Sequence, residues 1–373
     1  MNILFITHYA AYLGANRSMV ALLIELKARG LNLMVYCPEE NTLTDVLKTH
    51  KINYKVFPFI NWGYSYRSIK YWFFKFLWIK YIKNVFPNIL ENAKIFNPDI
   101  IHSNSSVVSL GWQLSEHLKC KHVWHIREFG YSDYKIRFLL GYRYFLEKLN
   151  NASNLIFISD TIRNYFLAKL NPVPNERIYN GVFNGDISLP EIREKKHFLI
   201  LGMLHPSKGQ IDALMAIKML INDFPKVRLL IAGEGWKSYT NQLKSYIKSN
   251  NLESNVTLCG YVHNPDKLIQ EANALLVCSR NEAMGRVTAE AMAAKVPVIG
   301  YDGGATSEII NNSNGGLLYN QIDQLYECMK SILYSSQLAE KLGQNGYQFA
   351  LENFTNQHYA DKVMEVYKEV LDK

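Results

Sequence analysis

An α/β fold built as two Rossmann-like domains is what this sequence predicts, and three observations predict it. Short apolar runs alternate with longer, more polar helical stretches along the whole chain, the pattern of parallel strands covered by helices. At 373 residues, 48% of them apolar, the chain exceeds one ordinary hydrophobic core and can fill two. Near its middle, NGVFNGDISLPEIREKK (180–196) breaks the alternation with glycines, a proline and a charge cluster.

The elements follow in order. The first half supplies strands at NILFIT, NLMVYC, YKVFPF, DIIHSN, HVWHI and NLIFIS. The second supplies HFLILGM, VRLLIAGEG, NVTLCGYV, NALLVCS, VPVIGYD and GGLLY. The boundaries expected are 1–182 for an N-terminal domain and 183–355 for a C-terminal one. Residues 356–373 read as a closing amphipathic helix, with Tyr359, Val363, Val366, Tyr367 and Val370 at helical spacing. The opening MNILFITHYA has no basic run before its apolar stretch and no small-residue cleavage site, so it reads as a first strand and predicts a cytoplasmic protein. Five scattered cysteines without a C-x-x-C pair read as reduced thiols.

The formal charge of +8 is uneven: residues 1–180 carry 22 Lys and Arg against 12 Asp and Glu, and the remainder is slightly acidic. A basic half attracts nucleic acid, anionic lipid or a phosphorylated substrate, and charge does not choose between them. No nucleic-acid reading motif accompanies the basic residues, so no nucleic-acid partner is expected.

Ligands of open α/β sheets sit beyond the carboxyl ends of strands, which directs attention to four loops. After the first strand, Gly14 and Ala15 precede a helix expected to begin near Asn16 or Arg17, whose N–H groups favour a phosphate. The G-x-G-x-x-G dinucleotide fingerprint is missing there, which counts against a nicotinamide or flavin enzyme. In LGMLHPSKGQ, Lys208 and Gly209 open a helix, so an ammonium and a helix N-terminus converge on one anion. In CSRNEAMGRVTAEAMAAKVPVIGYDGG a strand is expected to end at Ser279. Backbone at Gly285 and Arg286 could then hold a diphosphate, leaving Glu282 and Glu290 to accept hydroxyl hydrogen bonds. HVWHIREFGY places His125 at or just beyond a strand end, beside Arg127 and Glu128.

These segments resemble the retaining family-four glycosyltransferases, whose fold is GT-B: two Rossmann-like domains with parallel sheets facing a central cleft. EAMGRVTAE, Glu282 to Glu290, is similar to the family's E-x7-E motif; AMAAKVPVIGYDGG, GMLHPSKG, GEG (233–235), IYNGV and HSN stand in the family's order. The resemblance implies that Glu282 contacts the donor sugar and Glu290 the ribose. It implies that Lys208 neutralises the diphosphate with amides at Gly14, Gly285 and Arg286, and that Gly260, Tyr261 and Val262 meet the base. It makes His125 the histidine that contacts the transferred sugar, and it packs the final helix on the first domain. Where the family usually has arginine this chain has Met203, so one phosphate cation is missing and Arg286 or Arg17 is the expected substitute.

The implied reaction moves a sugar from a UDP- or GDP-sugar to a saccharide or lipid-linked acceptor, with retention, in cell-surface polysaccharide or glycolipid assembly. No D-x-D occurs, so no metal and no cofactor are expected. Two alternatives are a GT-B sugar-nucleotide epimerase and a catalytically weakened, membrane-associated binding or scaffold subunit. Residues 67–83, aromatic and basic without an acid, are too short and too charged to span a bilayer. They predict peripheral contact with an anionic surface on the cytoplasmic face, part of the segment packing in the core.

Overall fold

A computed structural model describes residues 1–64, 69–131, 135–185 and 194–373. The chain divides into two compact units, Met1–Gly181 with Asn356–Lys373, and Val182–Thr355. The division falls one residue before the boundary read from the sequence. Most of the segment that suggested it, 186–193, lies outside the described residues.

Unit 1 contains β1 (Asn2–Ile6), α1 (Gly14–Ala28), β2 (Asn32–Cys37), α2 (Thr42–Thr49), β3 (Asn53–Val56), β4 (Gly63–Tyr64), α3 (Ile69–Asn84) and α4 (Phe86–Phe96). It continues with β5 (Ile100–Ser103), α5 (Leu110–Leu118), β6 (Lys121–Ile126), β7 (Arg137–Phe138), α6 (Tyr142–Asn150), β8 (Asn154–Phe157), α7 (Asp160–Leu167) and β9 (Asn175–Arg177). Seven strands form one parallel sheet in the order β3-β2-β1-β5-β6-β8-β9, and β4 pairs with β7 in a separate antiparallel ribbon. Alternation along β1 sets the two faces of the sheet: Ile3 and Phe5 join one core, Leu4 and Ile6 the other. The first core receives α1 and the final helix of the chain (Asn356–Leu371), whose Tyr359, Val363, Val366, Tyr367 and Val370 are all buried in it.

Helix α3 covers the second core. Tyr81 is buried there, with Trp78 and Ile82 packed against it. On the other side Trp72, Phe73, Phe76 and Ile79 are 70, 59, 64 and 44% exposed, and Lys80 and Lys83 are exposed too. At 3.6 residues per turn these six fall within an arc of about 120°. The lysines therefore form no basic face of their own; they share one face with aromatic rings, and Lys75 Nζ lies 5.3 Å from the Trp72 ring centre. Arg67 and the side chain of Lys70 lie outside the described residues. Among the described residues no helix is long and apolar enough to cross a membrane.

Unit 2 runs β10 (His197–Leu201), α8 (Gln210–Leu220), β11 (Leu229–Ala232), α9 (Lys237–Ser249), β12 (Val256–Gly260), α10 (Asp266–Gln270) and β13 (Ala272–Val277). It ends with α11 (Arg286–Ala293), β14 (Val298–Tyr301), α12 (Gly304–Ser313), β15 (Gly316–Tyr319), α13 (Ile322–Tyr334) and α14 (Ser336–Asn353); the final helix is α15. Its six strands are parallel, in the order β12-β11-β10-β13-β14-β15. The first and fourth strands of the unit are thus neighbours whose connections leave in opposite directions, and ligands of such sheets bind at that switch point.

Two expected boundaries move. Helix α1 begins at Gly14, ahead of Asn16, because the Asn16 side chain is buried inside the preceding loop: Nδ2 donates to the carbonyls of Tyr9 (2.8 Å) and Ala11 (2.9 Å). Strand β13 stops at Val277, two residues before Ser279, where Cys278 O closes on Gly209.

Candidate active site

The site in unit 2 is assembled by loops leaving the two switch-point strands. After β10 the chain makes a short 3-10 turn, Pro206–Lys208, and reverses at Gly209 with φ +66°. A Cβ on Gly209 would stand 2.3 Å from Cys278 O, so only glycine lets this turn lie against the end of β13. After β13, Glu282 is clamped by the glycine loop that follows β14. Ala305 N donates to Glu282 O at 2.9 Å, and a Cβ on Gly304 (φ +59°) would meet Glu282 N at 2.6 Å. These two close approaches bring Lys208 Nζ to 2.5 Å from Glu282 Oε1, both side chains less than one-third exposed.

Helices α8, α11 and α12 start at this end of the sheet, and none has a side chain hydrogen-bonded as its N-cap. Helix N-terminal N–H groups take partners from side chains, water or ligands, and they carry positive potential. Gly285, at φ +75°, is the N-cap of α11. Beneath it lie the hydroxyls of Thr288 and Thr306, both fully buried and, among the described residues, without a hydrogen-bond partner. Arg286 is committed within the unit: Nε donates to Glu290 Oε1 at 2.9 Å and Nη2 to Val182 O at 3.2 Å. Met203, at the position of the missing arginine, is 47% exposed and brings no charge. Gly260, Tyr261 and Val262 follow the end of β12, with Tyr261 exposed and edge-on to His263.

Unit 1 gathers four segments that stand far apart in the sequence. Arg127 is buried; Nε donates to Asn104 Oδ1 (2.9 Å), Nη1 to Asn180 Oδ1, and Nη2 to Tyr359 Oη (3.0 Å) and His125 Nδ1 (3.3 Å). His102 Nε2 lies 3.2 Å from the same Nδ1, and Tyr367 Oη lies 2.7 Å from His102 Nδ1. Because a guanidinium only donates, His125 Nδ1 accepts, and the neutral ring carries its proton on Nε2. Burial, reinforced by the Arg127 charge, holds both imidazoles well below their ordinary range. The carboxylate of Glu128 is likewise buried, accepting from Ser105 Oγ (2.7 Å), Ser106 N (2.8 Å) and Ser106 Oγ (2.5 Å).

His125 is the penultimate residue of β6 and is fully inaccessible, covered by Tyr359 and His102. Its Nδ1 accepts from Arg127, and its Nε2 is buried and, among the described residues, without a hydrogen-bond partner. Gly14, in contrast, is exposed, with nothing within 4 Å of where a Cβ would stand. The buried partners Asn104 and Asn180 were readable only as members of the HSN and IYNGV segments, and nothing in the local sequence signalled Ser105, Ser106, Thr288 or Thr306.

Comparison with known proteins accounts for both units. A family model described as Glycosyltransferase Family 4 matches residues 12–183, and one described as Glycosyl transferases group 1 matches 187–349. The chain belongs to the GT-B glycosyltransferases. Poly(glycerol-phosphate) alpha-glucosyltransferase of Bacillus subtilis is 28% identical over 172 residues, 45% of this chain and 25% of that one. The putative glycosyltransferase YtcC of the same organism is 24% identical over 314 residues, 76% of this chain and 75% of its own. The chain spans a quarter of the length of the first relative and under half that of several others. Among solved structures, Anabaena HepE in complex with UDP and glucose superposes with a TM-score of 0.81 at 19% identity over 99% of both chains, a likeness of GT-B fold. Among the described residues no three His, Cys, Asp or Glu side chains are grouped to hold a metal.

Proposed function

We propose that the protein is a retaining glycosyltransferase that takes a sugar from a UDP- or GDP-sugar, without a metal, and delivers it to a saccharide or lipid-linked acceptor in surface polysaccharide or glycolipid assembly. The observation that carries the reading is the Lys208–Glu282 pair at the switch point of unit 2, ringed by helix N-termini without side-chain caps.

On this reading an arriving diphosphate takes over Lys208, and Glu282 is released to accept hydrogen bonds from sugar hydroxyls. The charge that grows on the leaving nucleotide meets the ammonium and the amides at Gly285 and Arg286, which are fixed before the reaction begins. Glu290 accepts from the ribose, and Gly260, Tyr261 and Val262 face the base. The acceptor hydroxyl attacks the face that the nucleotide leaves, and a phosphate oxygen of the leaving group takes its proton, so the anomeric configuration is kept. No enzyme carboxylate is required as a base, which suits a site whose carboxylates are engaged by cations. The exposed aromatic and basic face of α3 seats the protein on an anionic membrane surface, where rings lie at headgroup depth and lysines meet phosphates.

The test is a thermal-shift screen of the full chain with UDP, GDP and their sugars, with and without a chelator. One nucleotide series should raise the melting temperature, since a ligand of the folded state stabilises it. No shift with either series, or a shift that needs magnesium, would remove the reading.

A further inference from the structure

An open cavity in unit 1, of about 700 Å³, has no part in the donor site. The antiparallel ribbon β4–β7 forms one wall, placing Tyr64 opposite Arg137 and Gly63 opposite Phe138. Phe138 is buried and stacks on Phe145 with centroids 3.9 Å apart; Tyr64 stacks on Phe74 of α3 at 4.6 Å. Trp72 of α3 also lines the cavity, and so do Tyr165 and Lys169 at the end of α7.

Its volume is that of a small-molecule site, about 300–1,000 Å³. The lining chemistry is selective. Besides apolar and aromatic groups it offers two charges, Arg137 and Lys169, both exposed and both cations, and no carboxylate, amide or aliphatic hydroxyl side chain occurs among its described lining residues. A saccharide pairs most of its hydroxyls with such groups, and here only the phenol hydroxyls of Tyr64, Tyr131, Tyr142 and Tyr165 could take their place. An apolar chain needs none, and an anion at its end pairs with the two cations. Trp72 belongs both to this cavity and to the exposed face of α3, so the mouth opens beside the rings assigned to the membrane.

We propose that this cavity binds the single apolar chain of an anionic amphiphile, with Arg137 and Lys169 holding its phosphate. The assignment rests on the reading above and makes its acceptor a lipid-linked phosphate.

Titration calorimetry of the full chain with alkyl phosphates below their micelle concentrations tests it. Affinity should rise about threefold to fourfold per added methylene between octyl and dodecyl phosphate. The double variant Arg137→Gln, Lys169→Gln, at two exposed positions, should lower dodecyl phosphate affinity at least tenfold and leave neutral dodecyl maltoside unchanged. Ile136→Trp, filling the cavity from a half-buried position, should abolish binding of both. Absence of chain-length dependence, undiminished binding by Ile136→Trp, or displacement of the alkyl phosphate by a soluble oligosaccharide would overturn the assignment. UDP and GDP are titrated in parallel: a response to either nucleotide without amphiphile binding ends this proposal and spares the transferase, and amphiphile binding without a response to either does the opposite.

Discussion

Lys208 Nζ and Glu282 Oε1 lie 2.5 Å apart, although 74 residues separate them in the chain. Each side chain is held by backbone that only glycine permits, at Gly209 and Gly304. On the proposed reading a diphosphate competes with Glu282 for the ammonium, so the two partners should fail differently. Lys208→Ala should weaken nucleotide diphosphate binding by about 1.5–3 kcal/mol, the range for a hydrogen bond to a charged group. Glu282→Gln should leave that affinity within about threefold while lowering kcat by at least about tenfold. Calorimetry and initial transfer rates check the split.

Glu290 is tied to Arg286 one helical turn away. If it receives the ribose, Glu290→Ala should lower affinity for the nucleoside diphosphate by at least about tenfold and leave inorganic pyrophosphate affinity unchanged. Equal losses for both ligands would move Glu290 from the ribose to the phosphate.

Gly209→Ala combines a left-handed backbone with a clash against Cys278 O. The cost should be at least about 2 kcal/mol, read as a lower midpoint in urea. Gly14→Ala meets nothing and should leave the midpoint alone.

Acid should destabilise unit 1 well before its carboxylates titrate. His102, His122 and His125 are buried and neutral, with His122 pushed down to about 3 and the others well below 6.5. The unfolded chain protonates all three below pH about 6.5, whereas the folded chain stays neutral. Stability is therefore intact above that pH and falls as pH drops from about 6.5 towards the folded values, by up to about 1.4 kcal/mol per pH unit for each imidazole. Urea midpoints at pH 7, 6 and 5 measure the slope, and His122→Gln should reduce it by one proton.

Replacing Lys75, Lys80 and Lys83 of α3 by glutamine should release the protein from anionic vesicles, each lysine contributing about 1 kcal/mol at the surface. Vesicle flotation with unchanged binding would separate α3 from the membrane.

The sheets were legible because buried parallel strands are continuous apolar runs: each of the twelve strands read from such runs forms. Strands β4, β7 and β9 were not, since two or three residues carry no periodicity and are made by their partners. In the site, Lys208, Glu282, Gly285 and Glu290 could be placed from loop and helix starts. Their pairing could not, because it depends on Gly209 and Gly304 meeting segments some 70 and 20 residues distant. The burial of His125 was hidden for a similar reason. A histidine near a strand end looks accessible until α15, more than 230 residues later, covers it with Tyr359.

That covering helix also sets an order of assembly. Unit 1 is discontinuous: α15 supplies six core side chains, Tyr359 and Tyr367 among them joining the Arg127 and His102 network, after all of unit 2 has been made. On a ribosome adding about 5–20 residues per second, the nascent first 181 residues wait about 10–40 s for their last helix. During that interval the apolar groove meant for α15 is open to any chaperone or neighbouring nascent chain, while unit 2, continuous in sequence, is free to fold.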